Sequence, residues 1–148
     1  MAKSAPGPLR PEQSGVYRVP RALPALRTMA ERSGCAWLKV DLSVARDKAG
    51  FLQASARDLK FPPHFGTNWD AFSDCINDLA WQPAGGYVVV FDTLALLARH
   101  APDEAATALE ILRAAADAWR ARQKTFIVLL DSAPPAAAID AFPEPPPA

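Results

Sequence analysis

Two segments of this 148-residue chain, Tyr87–Phe91 and Phe126–Leu130, are unbroken apolar runs, and each ends at an aspartate, Asp92 and Asp131. They fall far short of the roughly 20 residues that cross a bilayer, and their Val, Ile, Tyr and Phe content suits strands. A strand that is apolar at every position is buried on both faces, as in a parallel sheet covered by helices. The class that follows is α/β. Strands are predicted at Ala36–Asp41, Tyr87–Asp92 and Thr125–Asp131, with a weaker pattern at Gly15–Val19.

Helix-type stretches alternate with these runs at Arg21–Arg32, Asp47–Leu59, Asn68–Ala80, Thr93–Arg99 and Asp103–Arg122. Asp47, Asn68 and Asp103 or Pro102 are suited to caps and first turns, and crossovers between parallel strands are expected to be right-handed. In the last helix Ala108, Leu109, Leu112, Ala115, Ala116 and Trp119 recur at three-and-four spacing, a stripe read as core.

The chain fits one domain with a core of its own. Eleven of its 15 prolines lie before residue 25 or after residue 133. Residues 1–13 and 132–148 are therefore expected as poorly ordered tails, and 14–35 as an N-terminal extension holding a possible strand and helix. No apolar stretch follows Lys3, so the start does not read as a secretory signal, and a cytoplasmic location is expected. Cys35 and Cys75 are too few for a disulfide scaffold and are expected as small, buried side chains.

The 16 basic and 16 acidic residues cancel, which argues against a uniformly basic nucleic-acid binder, but they are unevenly placed. Residues 1–60 hold 11 basic and 5 acidic side chains, whereas Phe61–Ala98 holds Asp70, Asp74, Asp78 and Asp92 and no Lys or Arg. Asp70, Asp74 and Asp78 are spaced by four, so on a helix starting near Asn68 they share one face, opposite Trp69, Phe72, Ile76 and Leu79. Like charges at this spacing cost a helix a few tenths of a kcal/mol per pair, and the helix dipole offsets this only for Asp70. Two readings stand: a solvated helix face, or an anionic docking surface that attracts a basic partner. In the preceding loop, Pro62 and Pro63 end one helix, Gly66 permits a turn, and Thr67 or Asn68 caps the next. That loop sets His64 and Phe65 beside the acids, where Phe65 is placed either to meet a partner or to pack under the helix.

The stretch Phe61-Pro62-Pro63-His64-Phe65-Gly66-Thr67-Asn68-Trp69-Asp70-Ala71-Phe72-Ser73-Asp74-Cys75 resembles the signature of the barstar family, small intracellular inhibitors of barnase-type ribonucleases. The pattern Pro, aromatic, aromatic, Gly, x, Asn, x, Asp, Ala, then Asp-Cys is matched except that His64 stands at the first aromatic position. The resemblance covers roughly residues 36–131. It implies a small three-stranded parallel sheet flanked by helices, no enzymatic activity, no cofactor or metal, and a basic ribonuclease as partner, bound without direct contact to nucleic acid or membrane. A monomer is expected when the protein is free. By the same resemblance His64, Phe65, Gly66, Asn68, Asp70, Ser73 and Asp74 fall in the partner-binding surface, with Asp70 and Asp74 standing in for phosphates and His64 packing on the nuclease. Asp78, an extra acid on the same side, is expected in the partner-binding surface as well. Departures from the family bear on the target. His64 replaces a tyrosine, Ser73 replaces a tryptophan, and an acidic position on the long helix falls near Ala114. A different toxin or a basic non-nuclease partner is the alternative.

Catalysis finds no support. His64, His100, Cys35, Cys75 and the aspartates lie at no nucleophile–base or metal-ligand spacing, and no phosphate-binding glycine run exists. Cys75 adjoins Asp74, which raises a thiol pKa rather than lowering it, and His100 reads as a helix C-terminal residue.

Overall fold

The computed structural model describes residues 8–62, 67–131 and 139–144. In it β1 (Gly15–Arg18), α1 (Leu23–Arg32), β2 (Cys35–Asp41), α2 (Lys48–Asp58), α3 (Trp69–Ile76), β3 (Gly86–Asp92), α4 (Leu94–His100), α5 (Pro102–Ala121) and β4 (Thr125–Leu130) follow in that order. All strands are parallel, in the spatial order β1-β4-β3-β2. Position in the sheet explains composition. The inner strands β3 and β4 are the two continuous apolar runs and are buried almost throughout. The edge strands β1 and β2 carry Arg18, Lys39 and Asp41.

The sheet has four strands, not the three expected, because the weak Gly15–Val19 pattern forms β1 and pairs along β4 in register Gly15 with Ile127 to Arg18 with Leu130. From β2 the chain steps to β3 and then β4 in one direction, with α2–α5 on one face of the sheet. From β1 it crosses the whole sheet the other way to reach β2. A right-handed crossover that runs in the opposite direction must pass over the opposite face, and α1 lies there. Side chains alternate accordingly. Tyr87, Val89, Phe91, Phe126, Val128 and Leu130 join Phe51, Phe72, Leu112 and Trp119 in one core, while Val88, Val90, Ile127 and Leu129 meet Leu26 and Ala30 of α1 in a second. Residues 14–35 thus supply the edge strand of the sheet and the helix over its second face.

Of the ends expected as tails, residues 1–7, 132–138 and 145–148 lie outside the described residues. Leu9, Ile139 and Phe142, within those ends, are buried. Local signals behave as their chemistry dictates. Asp47 caps α2 by accepting from Gly50 N at 2.8 Å, and Pro102 takes the first position of α5. Gly34, at φ 76°, turns the chain from α1 into β2. Gly86 is required for space, since a Cβ there would stand 2.9 Å from Cys35 Sγ and 3.0 Å from Thr125 Cβ. No helix of the described residues is long and apolar enough to cross a membrane.

Candidate functional site

α3 starts at Asn68, whose extended backbone and side-chain oxygen, accepting from Ala71 N at 2.7 Å, make an N-cap. Asp70 follows in the first turn, where the helix dipole favours a carboxylate. The underside of α3 is apolar because Phe72 and Ile76 lie one turn apart, and both are fully buried. The Phe72 ring meets Phe51, Trp69 and Phe61 at centroid distances of 5.3, 5.9 and 6.1 Å.

Polar bonds fix the helix at both ends to α5. Trp69 Nε1 donates to Glu104 Oε1 at 3.1 Å near the start. At the finish Trp119 Nε1 donates to Ile76 O at 3.0 Å, and Arg122 donates to Asn77 O at 2.7 Å. The Arg122 guanidinium also lies 3.7 Å from the centroid of the Trp119 ring, a cation–π contact. These bonds satisfy carbonyls that a helix C-terminus leaves without intrahelical partners.

The outer side presents Asp70 and Asp74, both exposed, with half-buried Ser73 beside them. The ion pairs among the described residues are Arg10–Glu12, Arg27–Glu31, Lys39–Asp92, Arg57–Asp58 and Arg120–Asp117. None includes Asp70 or Asp74. Asp92, the remaining acid of the Lys- and Arg-free segment besides Asp78, is paired with Lys39 Nζ at 2.9 Å and belongs to a different part of the surface.

The expected stripe of three acids is shortened. α3 ends at Ile76 rather than Ala80, so Asp78 is not on the helix. Asn77 Nδ2 bonds back to Ser73 O at 2.8 Å, and Leu79, with φ 51°, turns the chain so that its own side chain stays fully buried. Asp78 instead lines a pocket of about 350 Å³ with Tyr87, Trp119, Arg122 and Lys124. Sequence spacing offered Asp78 no cation three or four residues away; the fold brings two from the far end of α5 and the start of β4.

His64, Phe65 and Gly66 lie outside the described residues, which resume at the exposed Thr67 and Asn68. Cys75 is half-buried, and its thiol is held above the usual value by burial first and by Asp74 and Asp78 after it, the opposite of what a nucleophile needs. Cys35 is raised by burial. Ala114, on α5, is exposed and carries no charge. Among the described residues no group of three or more His, Cys, Asp or Glu is placed to hold a metal ion.

Sequence reasoning assigned Trp119 to the core, where it is, but missed that its indole N–H and Arg122 hold the end of the acidic helix. Periodicity records which side of a helix is apolar; it does not record which carbonyl an indole reaches 43 residues away. Comparison with known families gives a match over residues 35–131, more than half of the chain, to the family described as barstar, barnase inhibitor. No curated protein matches the chain.

Proposed function

The chain belongs to the barstar family, and on that premise we propose that it is an intracellular protein inhibitor of a basic ribonuclease, which it blocks with α3 and the loop before it. The observation that carries this reading is the pair Asp70 and Asp74. Both are exposed and enter no ion pair among the described residues, on a helix whose other side is fixed in the aromatic core and tied to α5 at both ends. A ribonuclease site is built of cationic groups that hold phosphates. Two carboxylates one helical turn apart, about 6 Å along the axis, offer such groups the charge they bind without a bond to cleave. Because the helix is already rigid, little ordering free energy is spent on binding. Unpaired carboxylates also speed the encounter with a cationic surface.

In this reading His64, Phe65 and Gly66 contribute contacts to the nuclease from the segment before α3, which Asn68 caps. Ser73 in place of a large aromatic, and Ala114 in place of a carboxylate, leave a flatter and less acidic margin than the family pattern. The target is accordingly a nuclease related to barnase rather than barnase itself. The protein acts by occupying a site, so no step of bond chemistry is assigned to it.

Calorimetric titration into a barnase-type ribonuclease at low and high salt, with Asp74→Ala as control, tests the proposal. Binding weakened by salt and reduced at least about thirtyfold in the variant is expected. That corresponds to the lower end of the 2–5 kcal/mol lost when a buried interfacial charge pair is truncated, a range measured on complexes that include barnase with barstar. Equal binding by both forms would remove α3 from the interface. An unfolded variant would contradict the exposed placement of Asp74.

A further inference from the structure

The parts of the chain outside the family match, residues 8–34 and 139–144, are bonded to each other. Arg18 N donates to Asp140 O and Phe142 N to Arg18 O, both at 2.9 Å, which makes Ala141 a one-residue parallel partner of Arg18. Arg18 Nε donates to Ile139 O, also at 2.9 Å. Val19 N is bonded to Leu130 O on the β4 side, so the alternation of a parallel ladder turns the main chain of Arg18 toward the open edge of β1. The C-terminal segment occupies that edge at Arg18.

It is anchored on both faces of the sheet. Ile139 is buried in the core beneath α2–α5, and Phe142 in the opposite core beneath α1, where its ring meets Tyr17 edge-on at 4.9 Å. Two residues later the Glu144 carboxylate accepts from Arg21 N at 2.7 Å and Ala22 N at 3.0 Å, at the entry to α1. Residues 139–144 therefore pass round the rim of the sheet, with one apolar anchor on each side and a carboxylate on the covering helix. The other rim is met at one residue, and by side chains rather than main chain. Asp41 N and Asp41 O on β2 are taken by side chains of α2, Asp58 Oδ2 at 2.8 Å and Arg57 Nη2 at 3.2 Å.

An open edge strand is a template for pairing with another chain, and β1 is self-complementary. Antiparallel pairing of two β1 strands about Tyr17 sets Val16 of one copy against Arg18 of the other and opposes no like charges. We propose that residues 139–144 are a latch that occupies the edge on which a second copy of this chain would add its own β1, and that holds α1 closed over the sheet. Release of the latch converts a monomer into an edge-paired dimer. The nuclease reading does not enter this argument, because α3 packs under the other face.

The test uses the full chain carrying Phe142→Ala and Glu144→Ala together. Sedimentation from low to high micromolar concentration is expected to show a dimer absent from the parent. Amide exchange at low concentration is expected to rise at least about tenfold at Arg18, Arg21 and Ala22 while β3 and β4 stay protected, the mark of local rather than global opening. A variant that remains monomeric throughout, or whose exchange at those residues equals the parent's, overturns the latch. Should β4 also lose protection, Glu144→Ala alone replaces the double variant; faster exchange confined to Arg21 and Ala22 then supports the latch, and unchanged exchange overturns it. Affinity for a ribonuclease is expected to be the same in parent and variants.

Discussion

The two faces of the sheet are covered in opposite ways. Beneath α2–α5 lies a core of large rings, with Phe51, Phe72, Phe91 and Phe126 fully buried and Trp119 nearly so. It is contributed almost entirely by residues inside the family match. The other face is shielded by one helix and the chain ends, and its buried filling is mostly aliphatic, with Leu26, Ala30, Val88, Val90, Ile127 and Leu129 closed by Leu9 and Phe142 while Tyr17 and Trp37 pack at its margin. Both faces bury apolar side chains, yet among the described residues the exposed acids of α3, Asp70 and Asp74, enter no ion pair, whereas α1 carries the pair Arg27–Glu31. The contrast separates two jobs that burial alone would not distinguish. One face mounts a rigid acidic helix; the other seals strands that have two apolar sides and would otherwise expose one of them.

If the second face is as much a part of the folded unit as the first, its helix is costly to damage. Leu26→Ala removes a fully buried side chain and is expected to cost about 2–5 kcal/mol, read by urea unfolding. Circular dichroism and tryptophan fluorescence should still give one coincident transition. A loss below about 1 kcal/mol, or two separate transitions, would break the comparison by making the α1 layer an independent flap.

A smaller effect is expected on the first face from Trp119→Phe, which keeps a ring but deletes the N–H donated to Ile76 O. Leaving a buried acceptor unpaired costs about 1–3 kcal/mol. Because that carbonyl ends α3, ribonuclease affinity should fall together with stability, whereas Leu26→Ala should lower stability alone. Equal affinity in Trp119→Phe and the parent would show that the acidic helix does not depend on its bond to α5.

The smallest effect is on the pH dependence. Asp58, hydrogen-bonded by Arg57, and Asp41, bonded by Ser43, are both held below the ordinary value of 3.8. Glu144 is held below 4.5 by the Arg21 and Ala22 amides. The unfolded chain therefore takes up these protons at higher pH than the folded one. Their stabilisation is complete above the ordinary carboxylate range and is lost as pH falls through the lowered folded values. Urea midpoints measured from pH 6 downward should decline below about pH 4, and Glu144→Gln should flatten part of that decline. An unchanged acid limb in the variant would detach Glu144 from α1.

How much of this was legible in the sequence depended on how local each cause was. The inner strands were read nearly to their ends because burial on both faces leaves no polar residue in the run. Asp47 and Asn68 were read as caps because a cap acts within three residues. β1 gave a weak pattern, since four residues at an edge, Gly-Val-Tyr-Arg, carry little apolar signal, and only the β4 main chain makes them a strand. Asp78 was placed on α3 because spacing by four continues indefinitely on paper, whereas the real helix stops where Leu79 must be buried.

The sequence by itself determined the α/β class, the two-sided burial of β3 and β4, and the acidic outer side of α3, all of which follow from alternation along one segment. Only the tertiary structure decided that β1 lies at the far edge with α1 on the opposite face. It alone decided that Trp119 and Arg122 hold the end of α3, and that residues 139–144 close the rim. Each of these depends on groups brought together from distant parts of the chain, through crossover handedness and main-chain partners that no periodicity records.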